Sequence, residues 1–149
     1  MRNITLFLLG ALAIAKFSSC KPELIEAPEL NEVIITDVYF EAAEGDLPQR
    51  NGLVCESGQD FECDAFEINV VRWYNGNTIR VTFEDLDDAY ESDCRESGPA
   101  TGTIFLEPLS LDSYLVEFIL NGESTDAILR KPYDELNIEF LEEGNVRAL

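Results

Sequence analysis

Ile68-Asn69-Val70-Val71-Arg72-Trp73-Tyr74-Asn75-Gly76-Asn77-Thr78-Ile79-Arg80-Val81-Thr82-Phe83 is the stretch that decides the fold. Apolar residues fall at alternate positions on both sides of Asn75-Gly76, the period of a half-buried strand rather than a helix. Asn-Gly between two such runs suits a type I′ hairpin turn, in which both central residues take positive φ. The stretch therefore reads as two strands, 64–74 and 78–85, closed by a two-residue loop. In that register Val70 faces Val81 and Ile68 faces Phe83, on the same side as Phe66 and Ile79, so apolar meets apolar. Val71 and Trp73 fall on the other side, which implies that this pair is covered on both faces.

The same pattern recurs along the chain. Ser113–Leu120 and Glu123–Arg130 flank a second Asn-Gly, Asn121-Gly122, and pair Val116 with Ala127 and Tyr114 with Leu129. Glu117 then stands opposite Asp126, a like-charge pair that solvent must screen. Val33–Glu41 alternates through Ile34, Thr36, Val38 and Phe40, and segments 102–107 and 136–142 supply two shorter strands. Segment 47–55 is a weak or edge strand, because Pro48 and Gly52 interrupt it. Seven or eight strands, frequent turn signals and no helical period predict an all-β fold. An antiparallel β-sandwich of immunoglobulin-like topology is the expected architecture, with a small β-barrel as the alternative.

Ahead of this domain the chain changes character. Arg2 gives a positive start, 4–15 is an apolar run of twelve residues, and Phe17-Ser18-Ser19-Cys20 follows. The order of charge, apolar run and small residues is that of a secretory signal, and twelve residues fall short of the ~20 that cross a bilayer. Phe17-Ser18-Ser19-Cys20 resembles the lipobox of bacterial lipoproteins: an apolar residue, two small ones, then the cysteine that is diacylated. The resemblance covers about twenty residues. It implies that 1–19 is removed, that Cys20 carries lipid, and that the domain sits in the cell envelope, on the periplasmic or surface face of the outer membrane. The competing reading is plain secretion, with cleavage after Ala15 in Ala13-Ile14-Ala15.

Segment 20–32, with Pro22, Pro28 and alternating acids, reads as an acidic tether from Cys20 to a domain at 33–149. Fully extended, twelve such residues reach ~40 Å. Without 1–19 the chain keeps eight basic residues against thirty acidic ones, a net charge of −22. Such a chain repels nucleic acid and anionic lipid heads, so membrane attachment falls to the acyl chains alone.

The full sequence has no histidine, which removes the commonest general base, its serine and cysteine partners, and typical zinc sites. Acids gather at one end of the first hairpin: Asp60, Glu62 and Asp64 before it, then Asp85, Asp87, Asp88, Glu91 and Asp93. The expected register sets Asp64 opposite Asp87. Such a group is either a solvated loop or a site for a hard cation, and calcium, taken by Asp64, Asp85, Asp87, Asp88 and Asp93, is the one cofactor the sequence admits. Cys55, Cys63 and Cys94 reach that end too, and secretion favours one disulfide among them: Cys63–Cys94, Cys55–Cys94 or Cys55–Cys63. Trp73 and Tyr74, beside the turn, form a candidate patch for a glycan or a partner protein.

The expected function is thus a non-enzymatic binding or accessory role for a lipid-anchored protein. The alternatives are a secreted or periplasmic inhibitor or stabilising subunit, and a small carboxylate-dependent hydrolase.

Overall fold

Eleven strands form among residues 23–41, 44, 49–132 and 135–149, which a computed structural model of the chain describes. They are β1 (Leu24–Ile25), β2 (Val33–Glu41), β3 (Arg50–Phe61), β4 (Ile68–Asn75), β5 (Thr78–Leu86) and β6 (Ala89–Tyr90). After them come β7 (Gly98–Leu106), β8 (Ser113–Leu120), β9 (Glu123–Arg130), β10 (Asn137–Phe140) and β11 (Val146–Ala148). One sheet has the order β10-β9-β8-β5-β4 and the other β11-β2-β3-β7, while β1 and β6 make a separate ribbon. The two larger sheets remain open and pack face to face as a β-sandwich, so the barrel alternative falls. Between them lie the alternate residues of each strand, among them Val81, Val116, Phe118, Leu53 and Ile104, all fully buried.

The second hairpin has the expected register throughout. Asn121 and Gly122 both take positive φ, 54° and 81°, as a type I′ turn requires. The Glu117–Asp126 pair is relieved from the next strand, where Arg80 Nε lies 2.7 Å from Glu117 Oε2.

The first hairpin differs. Asn75 pairs with Thr78, so the loop is Gly76-Asn77, and Val70 meets Phe83 rather than Val81. Gly76 has φ 60° and Asn77 no positive φ, the pattern of a type II′ turn with glycine first. A bulge between Ile68 and Val70 then sets Ile68 against Leu86. The alternation repeats every two residues, so a slide by two keeps each side chain on its face and the hydrophobic pattern does not oppose it. Val71 and Trp73 keep their expected side but are 49% and 50% exposed, so among the described residues nothing covers them fully.

Three further corrections concern the strands. The segment expected as a weak edge is the central strand β3, between β2 and β7; Leu47 and Pro48 lie outside the described residues. Gly52 does not interrupt it, because its bare Cα makes room for the Tyr39 ring from β2, which a Cβ would strike. Two pairings also depart from the all-antiparallel immunoglobulin pattern: β5 with β8, and β11 with β2, are parallel. The chain leaves β5, forms β7 in the opposite sheet, and so returns to β8 running the same way as β5.

The described part of the expected tether is docked on the fold. Leu24 and Ile25 pair with Tyr90 and Ala89, Ala27 N donates to Asp88 Oδ1 at 2.8 Å, and Leu30 is buried. The segment 1–19 expected to be a signal, and Cys20, lie outside the described residues.

Candidate functional site

The acidic end is built by one covalent link and one carboxylate. Cys63 and Cys94 form a disulfide, which selects one of the three pairings the sequence allows. Beside it, Asp64 N donates to Glu96 O at 3.0 Å, and Asp64 Oδ1 accepts from Arg95 N at 2.8 Å. The Arg95 N–H holds the Asp64 carboxyl below its ordinary range. A carboxyl with a lowered folded pKa stabilises the fold above its unfolded pKa, and that contribution fades as acid protonates it.

Cys55 does not reach this end, contrary to expectation. It sits mid-way along β3, fully buried on the inner face, with its thiol 3.4 Å from Gly102 O. Burial, with a smaller effect of Glu56, pushes its pKa up to about 12, so the thiol stays protonated and unreactive.

A hollow of about 890 Å³ opens beside the disulfide loop. Asp64, Asp87, Asp88 and Asp93 line it with Glu67, and among the described residues Arg95 is the one cation on its wall. Leu24 and Phe66 add apolar surface. Asp85 does not join them: it lines a neighbouring depression with Glu84 and Asn121, and Asp87 lies on the wall of both. Nor does Asp64 stand opposite Asp87, because it lies in a turn before β4, and Glu67 O accepts from Asp87 N instead. The carboxylates are engaged singly. Asp87 accepts from Asn69 Nδ2 at 2.7 Å, Asp88 from Ala27 N, and Asp93 from Ser92 Oγ at 3.3 Å. Among the described residues no group of three or more His, Cys, Asp or Glu is arranged to hold a metal ion, so the geometry lends calcium no support.

Trp73 and Tyr74, expected as one patch, point to opposite sides of β4. Trp73 is half exposed on the outer face, with the Arg80 guanidinium 5.6 Å from its ring centre. Tyr74 turns inward, and its Oη accepts from Glu107 N at 2.9 Å. Burial is the main cause raising its pKa.

That contact belongs to a seam the sequence did not reveal. Here the edge strand of one sheet, β4, runs beside the edge strand of the other, β7. Glu67 bridges Thr101, Thr101 N donates to Phe66 O at 3.2 Å, and the Arg72 guanidinium donates to Phe105 O. Between those ties lies a second hollow of about 410 Å³, lined by Ile68, Thr103 and Phe105. Phe105, on the β7 edge, is 59% exposed.

At the opposite end Tyr114 organises the loop before β8. Its Oη accepts from Ser110 N at 2.8 Å and Leu111 N at 3.0 Å, a tyrosine returning to the backbone just upstream, as in many sandwiches. Burial alone raises its pKa, but these hydrogen bonds and Lys131 outweigh it and the net shift is downward. Set against protein-family models, curated proteins and solved structures, the chain matches none of them.

Proposed function

We propose that this protein is a lipoprotein of the cell envelope, acylated at Cys20, whose sandwich binds a partner protein without catalysing a reaction. The observation that carries the binding role is the exposed apolar surface of two neighbouring edge strands: Val71 and Trp73 on β4, Phe105 on β7. Large apolar side chains beside unpaired sheet edges are a liability in a free domain and an asset at an interface. A glycan platform finds less support, since it needs coplanar exposed aromatics and Tyr74 faces the interior. The absence of histidine supports a non-enzymatic role.

The anchor rests on Phe17-Ser18-Ser19-Cys20 after its apolar run, with palmitate among the acyl groups expected on the cysteine. Labelling growing cells with radioactive palmitate tests it. The full-length chain is expected to incorporate label and Cys20→Ala to incorporate none. An unlabelled full-length chain, or label that survives in Cys20→Ala, overturns the anchor.

A further inference from the structure

We infer that the β4–β7 seam and the acidic hollow form one groove, and that it docks a short, extended, basic segment of a membrane-bound partner protein. This rests on the lipid-anchored binding role proposed above and names its surface and partner class.

The two hollows adjoin, with Glu67 and Thr101 on the walls of both. One half offers a strand edge. Thr101 N, Phe105 O and Glu107 N are each tied across the seam. Main-chain groups on a strand edge recur at every second residue, so Thr103, between those ties, turns its N–H and C=O to the same edge. Among the described residues β7 forms no ladder with β4, and the Glu67–Thr101 bridge is the one strand bridge between them. An extended segment laid there gains main-chain hydrogen bonds, and Phe105 and Ile68 give its apolar side chains cover.

The other half sets the sign of the occupant. Among the described residues five carboxylates and one guanidinium line the larger hollow, so lysine or arginine side chains are favoured and acidic ones repelled. The carboxylates here select the segment that the edge binds; they are not a separate ion site.

Position sets where the segment comes from. Leu24 lines the acidic hollow and is four residues from Cys20, so their Cα atoms stand at most about 14 Å apart. A lipid on Cys20 therefore holds the acidic end near the bilayer, far closer than a free tether would. Anionic lipid heads are repelled by the same carboxylates, which leaves a basic protein segment at the membrane surface as the occupant.

An alternating Lys-Val octapeptide, titrated into the full chain in detergent at about 0.15 M salt, tests the groove, with an alternating Glu-Val octapeptide as control. Binding is expected for the first peptide only, with amide NMR shifts along 64–72 and 98–105. Combining Asp87→Asn, Asp88→Asn and Asp93→Asn keeps the acceptor oxygens while removing three charges, and is expected to weaken binding about tenfold. Glu123→Gln, Glu142→Gln and Glu143→Gln together remove the same charge elsewhere and are expected to change it less than about twofold. Thr103→Pro, which removes one edge donor, is expected to weaken binding about fivefold without disturbing the fold. Equal losses in the two charge-neutralised variants, shifts outside the groove, or no binding overturn the inference. Palmitate labelling of Cys20 reads the anchor separately, so failure of the groove is distinguishable from failure of the lipoprotein reading.

Discussion

Phe118→Ala is expected to cost about 4–5 kcal/mol, enough to leave the domain largely unfolded at physiological temperature. Phe118 is fully buried on β8 and is the middle ring of a stack that crosses its sheet. Phe83 of β5 lies 6.0 Å from it, centroid to centroid, and Phe140 of β10 lies 5.6 Å from it, both within 18° of parallel. Removing the middle ring leaves a cavity that neither neighbour can fill, because each is held by its own strand. Phe118→Leu keeps most of the volume and is expected to cost less than about 2 kcal/mol. Phe105→Ala, at an exposed edge, is expected to change stability by no more than about 0.5 kcal/mol. Urea denaturation of the three variants checks the order, and a mild effect of Phe118→Ala contradicts the packing described.

Removing the disulfide is the second large effect. Cys63 and Cys94 are separated by 31 positions, and opening a loop of that size costs about 3–4 kcal/mol in the chain-entropy model. The melting temperature of Cys63→Ala/Cys94→Ala is therefore expected to fall by roughly 10–15 °C, measured by circular dichroism. Reduction of the native chain is expected to reproduce most of that fall. Asp64 and its backbone partners Arg95 and Glu96 then lack their covalent support, so amide exchange is expected to rise first in 91–97. Unchanged exchange there would show that the disulfide does not hold the acidic end.

Both effects follow from features that the sequence displayed unequally. Alternation gave the layers away: β2, β8 and β9 have the expected bounds, and Asn121-Gly122 sets the second hairpin's register outright. At Asn75-Gly76 the same dipeptide misled by two residues. Gly76 serves equally well as the first residue of a II′ turn, and the apolar alternation matches itself after every slide by two. β3 was hidden because a glycine reads as a break until Tyr39 is known to lie over it. The seam was hidden for a deeper reason: contacts such as Glu67 with Thr101 and Arg72 with Phe105 join strands of different sheets, which no local period records. At the acidic end, composition showed that Asp64, Asp87, Asp88 and Asp93 would gather, but not that each would be tied to its own donor. Cys55 was misplaced through β3, whose length keeps it buried mid-strand and leaves Cys94 to Cys63.

The mass of the mature protein's N-terminal peptide tests the central claim most directly. The account predicts a chain that begins at Cys20 and carries a diacylglyceryl thioether, with Cys63 bonded to Cys94 and Cys55 left as a free thiol. A mature chain that begins at Lys16 with an unmodified Cys20 would contradict it, freeing the domain from the membrane and removing the reason for its acidic end to face a membrane-bound partner.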